Sequence, residues 1–533
     1  MTSDHRPLSS RVRREDGFTL VELLVVIVIL GILAAIVVFS VRGIGDKGRS
    51  SAVAADAATL RTAQESYCAR HGHYGTVDDL KGDGLISGDP VYNAIAVGEE
   101  NKCGRGAKSS FTLYDTAPTK TGKDAIPVAA NPTDLAVDEK ADRVYVASGG
   151  STSGTVTVID GRTDEPVGSP IDVSSAVTSP TRIAVAPATG KVYVGGAGGV
   201  AVIDTVKGNL VTKVGGFDAG VNGLAVSPEN GDVYVGGGSL ASPVVAYIPS
   251  GGTTATAIPL PAAGLVSAGN GMDFSFDPER HAVYLAKSNL GTGEGLDASI
   301  GLFAISSQTH QARLVSRFPT KSGCGTNAGN VLVNTSVRGS AVVDPNRNLV
   351  YLLARRCVPD PQNPTGSWKS VATTIVIDPR DGSSTPIDDP GGVASSPVSA
   401  VYNAAAGAVY VFSSVGGGNP QCGTSAGRIS RVVGTEAAGL APVCQVSGGG
   451  NAARKMAVAR NLNRIFVAQL KTDTPGGVSS PGGLGVADGT TLLTQPPLGS
   501  RLFGMLAVNN AKAKVYAVDQ ANGSVAVFRA SSD

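Results

Sequence analysis

The sequence predicts a two-part molecule: a long N-terminal α-helix with a small α+β head, followed by an all-β array of four-stranded units that closes on itself. Three observations predict it. From Phe18 to Val41 the only ionisable side chain is Glu22. From Ala125 onward a four-strand pattern recurs, each time with a Tyr or Phe in its second strand. The ends of that repeat are complementary, because the last unit lacks a fourth strand and an orphan strand precedes the first.

The apolar run, residues 18–41, makes a helix of about 36 Å, enough to cross a hydrocarbon core of about 30 Å. A lone carboxylate near its start costs about 2–3 kcal/mol or more in lipid unless it finds a partner. The residues before and around it are Arg6, Arg11, Arg13 and Arg14, then Gly17-Phe18-Thr19-Leu20-Val21-Glu22. This segment resembles the N-terminus of type IV pilins and pseudopilins: a short basic leader, Gly, Phe-Thr-Leu-hydrophobic-Glu, then an apolar helix. The resemblance implies that a prepilin peptidase cuts between Gly17 and Phe18. It implies N-methylation of Phe18 as the new first residue. It also implies that Glu22 pairs with the freed α-ammonium of a neighbouring subunit during filament assembly. Two charges a few Å apart in low dielectric attract far more strongly than in water. An ordinary signal anchor that happens to contain Glu22 is the rival reading. A cleaved secretory signal fits less well, since the run exceeds an h-region and no Ala-x-Ala site follows promptly.

Residues 1–17 are therefore read as leader and 18–41 as the transmembrane and assembly helix. Gly43, Gly45 and Gly48 follow, each lowering helix propensity by about 1 kcal/mol relative to alanine. Val53, Ala57, Leu60 and Gln64 then restore a helical spacing. Tyr67 to Leu80, with Gly84-Leu85-Ile86, is similar to the stretch just after the spine in pilin-like proteins. A short strand pair ending at Ser110–Tyr114 completes a small pilin-like head, so 42–115 is spine and head. Residues 116–124 are polar, lack periodicity and read as a linker.

The repeat fills 125–533. First strands are expected at Leu135–Asp138, Ile183–Ala186, Leu224–Ser227, Phe274–Asp277, Ala341–Asp344, Ala400–Asn403, Met456–Ala459 and Leu506–Asn509. Second strands follow at Tyr145, Tyr193, Tyr234, Tyr284, Tyr351, Tyr410, Phe466 and Tyr516. Four-stranded units recurring in this way are the signature of a β-propeller. Eight blades are expected, with seven as the alternative. Pairing of Ala125–Ala129 beside Val525–Phe528 would close the ring and remove unpaired edges. Val144-Tyr145-Val146 with Val158-Ile159-Asp160, and Val192-Tyr193-Val194 with Val202-Ile203-Asp204, resemble propellers of the Tyr-Val-Thr-Asn and lactonase-like type. That likeness speaks for architecture and not for activity.

Composition agrees. After residue 70 Val, Ala, Gly, Ser and Thr dominate, and 70 glycines in 533 residues imply many tight turns. The leader holds four of the 44 basic and three of the 43 acidic residues, leaving 40 of each. That balance gives no general attraction to nucleic acid or anionic membrane. The leader arginines favour the cytoplasmic side, so everything after Val41 should face outward. Outside the membrane the six cysteines are candidate disulfides, in neighbouring pairs: Cys68 with Cys103, Cys324 with Cys357, Cys422 with Cys444.

No credible acid–base or metal set stands out. His71 and His73 flank a glycine and lack a third ligand. His281 and His310 fall in turns without an obvious partner. Asp160, Asp204, Asp378 and Asp488 end third strands, where turn bonds to backbone explain them. Gly195 to Gly199 read as a turn rather than a phosphate cradle. A propeller-mouth set remains: Asp134, Arg182, Asp273 and Lys455, just before first strands. They would hold a polar ligand or pair with one another.

The expected function is a type IV pilin-like subunit, a single-pass membrane protein before assembly and then part of an extracellular pilus at the cell surface. It would display the propeller for adhesion or protein interaction. Its implied partners are prepilin peptidase, other pilins, the membrane and an unidentified extracellular ligand, with no nucleic acid. Neither enzymatic activity nor a cofactor or metal is expected. The alternatives are a pseudopilin of a secretion or DNA-uptake machine and a tethered propeller enzyme.

Overall fold

The computed structural model describes residues 54–88, 93–97, 103, 111–115 and 125–529, apart from 218, 239–242, 262–272, 291–298, 322–323, 325–331, 334–340, 361–367, 390–394, 420–422, 445–455, 461–462, 470–482, 488–491, 494–502 and 521. The chain divides into two compact units, Met1–Leu113 and Tyr114–Asp533.

In the first unit, residues 54–71 are helical. Ala57, Leu60, Ala63, Gln64, Tyr67 and Cys68 recur at three- and four-residue spacing and form the buried stripe. A short helix, Val77–Gly82, follows. Thr76 caps it, and the Asp79 side chain returns a bond to the Thr76 backbone. This helix seats Leu80 against Ala63 and Tyr67. Strands Asn93–Val97 and Phe111–Asp115 pair as a two-stranded sheet. Among the described residues no helix is long and apolar enough to cross a membrane, and the run 18–41 lies outside them.

The second unit is built from antiparallel four-stranded sheets, the architecture of a propeller. The first contains Pro132–Asp138, Arg143–Ser148, Thr155–Asp160 and Glu165–Pro166, with Ile171–Asp172 added on the third strand. The next is Thr178–Ala186, Lys191–Ala197, Gly199–Asp204 and Leu210–Val214. Then come Val221–Val226, Val233–Gly238, Pro243–Ile248 and Thr256–Ala257. A nine-stranded sheet holds two such sets, Phe274–Asp277 to Ala312–Lys321 and Ala341–Asp344 to Ser384–Asp388. They are joined by Leu332–Val333, which runs parallel to residues 320–321. Ser395–Asn403 to Glu436–Cys444 and Met456–Ala459 to Leu492–Leu493 come after it. The last sheet is Phe503–Asn509, Lys514–Asp519, Ser524–Arg529 and, from the other end of the repeat, Ile126–Pro127. There Ile126 pairs with Val525 and Pro127 with Ser524.

First strands of successive sets pack side by side, and Phe503–Asn509 packs beside Pro132–Asp138, so the series returns to its start. Each second-strand aromatic is buried. For seven of the eight the packing follows one rule. Tyr145 meets Val192 and Val194, Tyr193 meets Val233 and Val235, and Tyr234 meets Val283 and Leu285. Tyr284 and Tyr351 share a cluster with Val350, Leu352, Val409 and Val411, and Tyr410 meets Ile465 and Val467. Tyr516 meets Val144 and Val146 of the first set. An aromatic ring from one sheet thus seats against the two aliphatic residues flanking the corresponding aromatic of the next. Each such ring contributes about 1.5–3 kcal/mol of burial. Covering both faces explains why second strands read as continuous apolar runs instead of alternating ones.

Gly195 and Gly196, expected in a turn, lie inside the strand Lys191–Ala197. A Cβ on Gly195 would stand 2.5 Å from Val221 Cγ1, and one on Gly196 would stand 2.7 Å from Ser179 O. The neighbouring chain comes so close that no side chain fits, which the sequence signals in the same way as a turn.

Candidate functional site

The processing and assembly residues Gly17, Phe18 and Glu22 lie outside the described residues, as do Cys422, Lys455 and Asp488. The pairing of Cys422 with Cys444 falls outside them too.

In the head, the ring of Tyr67 stacks on His71 at 4.2 Å and meets His73 edge-on at 5.5 Å. His71 Nε2 lies 2.7 Å from Asp83 Oδ2, and His73 Nδ1 lies 3.1 Å from Tyr74 O. Cys68 and Cys103 are bridged. Among the described residues no three potential metal ligands converge.

Of the residues expected at a propeller mouth, Asp134 is buried and its carboxylate is occupied by backbone. Oδ1 accepts from Leu135 N at 2.9 Å, and Oδ2 accepts from Ile183 N of the next sheet at 3.2 Å. Ser399 stands at the same register further round the repeat, and its Oγ accepts from Met456 N at 3.4 Å. This position therefore links neighbouring first strands. Arg182 Nη1 donates to Thr181 O at 2.8 Å. Asp273 is half-buried immediately before the strand Phe274–Asp277. Cys324 and Cys357 are bridged, with Cys357 fully buried against Trp368.

The carboxylates that end third strands hold turns. Asp160 Oδ1 accepts from Arg162 N and Thr163 N, and Asp204 Oδ1 from Val206 N and Lys207 N. The Arg143 guanidinium beside Asp160 and these amides hold its carboxyl down at about 2. Asp378 is held at about 2 by Arg380 in the same way.

His281 and His310 are not the partnerless turn residues expected. His281 Nδ1 bonds Glu229 Oε1, and Ser307 Oγ donates to Glu229 Oε2 at 2.6 Å. His310 Nε2 lies 3.0 Å from Asp232 Oδ2, and its ring stacks on Tyr247 at 3.5 Å. Both carboxylates belong to the preceding sheet, in one turn, 52 and 78 residues away from their histidines. The pairs staple one seam. Separations of that length leave no trace in a local pattern.

Those staples belong to a larger set with no counterpart among the sequence expectations. Arg280 Nη1 donates to Pro345 O, Arg347 Nη1 to Gly407 O, and Asn403 Nδ2 to Asn463 Oδ1. Arg460 N donates to Asn510 Oδ1, and Asn510 donates twice to Glu139 Oε1. Turns between first and second strands thus bond from one sheet to the next. The available signal was the Asp or Asn that ends most first strands.

Lys287 differs from all of these. It is 4% exposed, and its Nζ has no hydrogen-bond partner among the described residues. Burial pulls its amine down to about 8.

Comparison with known proteins bears on the N-terminus. Residues 12–38 match the Prokaryotic N-terminal methylation motif. The chain is similar to the Type II secretion system core protein G of Aeromonas hydrophila, 41% identical over 66 residues, which is 12% of this chain and 46% of that protein. The Klebsiella pneumoniae counterpart is 39% identical over 67 residues, 13% of this chain and 48% of that protein. The chain spans about half the length of the curated relatives it matches. Among solved structures it is similar to the hydrazine synthase of Kuenenia stuttgartiensis, with a TM-score of 0.42 at 13% identity, covering 78% of this chain and 100% of that one. It is also similar to the Cps50 (Swd1) beta-propeller domain of Myceliophteria thermophila, with a TM-score of 0.39 at 11% identity, covering 76% and 98%.

Proposed function

We propose that this chain, whose N-terminus is of the prepilin type and whose larger part is a propeller, is a pilin-class subunit that carries an extracellular binding domain. One observation carries the reading: Gly17, Phe18 and Glu22 stand in prepilin register inside the matched segment 12–38. Prepilin peptidase would cut after Gly17, and Phe18 would be N-methylated. Glu22 would then meet the α-ammonium of an adjoining copy or another pilin as the apolar helix leaves the membrane.

The propeller would have eight blades, the nine-stranded sheet counting as two. The return of Ile126–Pro127 to the last sheet supports that count. Its role would be binding at the cell surface and not catalysis. The commitment of Asp134 to backbone amides supports this, since it removes one acid from the mouth.

A second reading has its own support. The relatives quoted are core components of a type II secretion system, which favours a short secretion pseudopilus over a long pilus. Intact mass and N-terminal sequencing of the membrane-extracted protein test the processing. A mature chain starting at methylated Phe18 supports it, and one starting at Met1 overturns it. Electron microscopy of sheared surface material from wild type and Glu22→Ala separates long filaments, a short pseudopilus and no assembly.

A further inference from the structure

The segment that connects the propeller to the N-terminal unit is also the strand that completes its last sheet. Ile126–Pro127 is the outermost strand of that sheet and pairs at two positions, Ile126 with Val525 and Pro127 with Ser524. Val128 N adds a bond to Gly523 O at 3.1 Å. Because Val128 donates to the ladder, alternation turns the nitrogen of Pro127 outward, where its missing N–H blunts the free edge. Ile126 is 1% exposed and supplies the strand's large apolar side chain to the core.

The same seam has a second closure that uses none of these residues. Lys514 Nζ donates to both oxygens of Asp164, at 2.9 and 2.8 Å, and to Gly161 O at 2.6 Å. Tyr516 OH donates to Asp164 Oδ1 at 3.2 Å. Asn509 Nδ2 donates to Asp142 Oδ1 at 3.0 Å, and Asn510 reaches Glu139. Phe503–Asn509 packs beside Pro132–Asp138.

We propose that Ile126–Pro127 is a force-releasable latch: tension arriving from the N-terminal segment peels it from Ser524–Arg529 while the Lys514–Asp164 clasp keeps the ring shut. This rests on the proposed anchoring of the chain through its N-terminus. The strands are antiparallel, so the chain enters Ile126 at the end where Ser524–Arg529 leaves. Force there breaks bonds in succession and not together. Release bares one edge of Ser524–Arg529 and lengthens the tether without unfolding the domain behind it.

Single-molecule pulling on the full chain, with handles at its two termini, tests this. A short, reversible lengthening of at most about 20 Å, the full span of residues 126–131, should precede the main unfolding of the propeller. Ile126→Cys with Val525→Cys, oxidised, should abolish that step, with oxidised wild type as control. Ile126→Ala should leave a folded ring and speed hydrogen exchange of the Val128 amide at least about tenfold. Opening of the propeller in one event, or a short step that survives the cross-link, overturns the proposal. None of these readings requires assembly, so the anchoring is refuted separately, by a mature chain that still starts at Met1 or by filaments that Glu22→Ala leaves unchanged.

Discussion

Gln64 grips Gly75 with both halves of its side-chain amide: Nε2 donates to Gly75 O at 2.6 Å, and the Gly75 N–H donates to Oε1 at 3.0 Å. Gln64 is fully buried, so no water replaces either bond. The clamp fixes where the chain returns to the helical residues 54–71 after its first turn away. A Cβ on Gly75 would stand 3.0 Å from the Tyr67 ring and 3.0 Å from Asp79 Cβ, so a side chain there would have to push its neighbours aside. Gln64→Leu is expected to cost about 2–4 kcal/mol, because two backbone groups lose their partners inside the head. Denaturant melting and hydrogen exchange at Gly75 check it. Protection unchanged from wild type would show that the clamp is dispensable.

Lys287 predicts a stability that rises in alkali. Its folded-state amine titrates at about 8, below the ordinary 10.5 of a lysine. Between those values the unfolded chain holds a proton that the folded chain has lost, so stability increases with pH across that window. The gain is of order 3 kcal/mol at most. Lys287→Met should remove the dependence and stabilise the protein at neutral pH, since an apolar tip replaces a desolvated charge. Thermal melts at pH 7 and pH 10 on both proteins would decide it.

Asp160 predicts a loss of stability in acid. Arg143 and two turn amides hold its carboxyl at about 2, below the ordinary range. Its contribution is present above about pH 4 and is lost as pH falls towards 2. Asp160→Asn should flatten that part of the pH–stability curve. A variant that loses stability in acid as steeply as wild type would place the titration elsewhere.

The clasp between the ends of the repeat makes a further case. The side chains of Asp164 and Lys514 are 9% and 14% exposed. Asp164→Asn leaves the ammonium facing a neutral amide and should cost about 3 kcal/mol. The double variant Asp164→Asn, Lys514→Met should cost less than the sum of the two single changes, as measured by urea melting. Additive costs would mean that the two residues do not act as a pair.

Most of the propeller was legible in the chain. Each expected first strand and each second-strand aromatic falls on an observed strand, because a repeat writes the same pattern many times and errors at one copy do not spread. The orphan strand at Ile126 was legible by subtraction, since the last unit was one strand short. The glycines at 195 and 196 were misread, because a strand pressed against its neighbour and a turn both demand a residue without Cβ. The partners of His281 and His310 were missed, because a seam joins residues whose sequence separation is set by the length of a whole unit.

By itself the sequence determined the features that arise from local order: an apolar run with one acid, arginines ahead of that run, and a four-strand period with an aromatic in its second strand. These rest on side-chain chemistry and short-range geometry, which neighbouring residues settle among themselves. Only the tertiary structure decided which groups remain available. It committed Asp134 to two backbone amides, paired His281 with Glu229 and His310 with Asp232, left Lys287 desolvated, and set Lys514 on Asp164. Those outcomes depend on the packing of one sheet against the next. There, distance in space is unrelated to distance along the chain, and burial decides whether a charge is bonded or stranded.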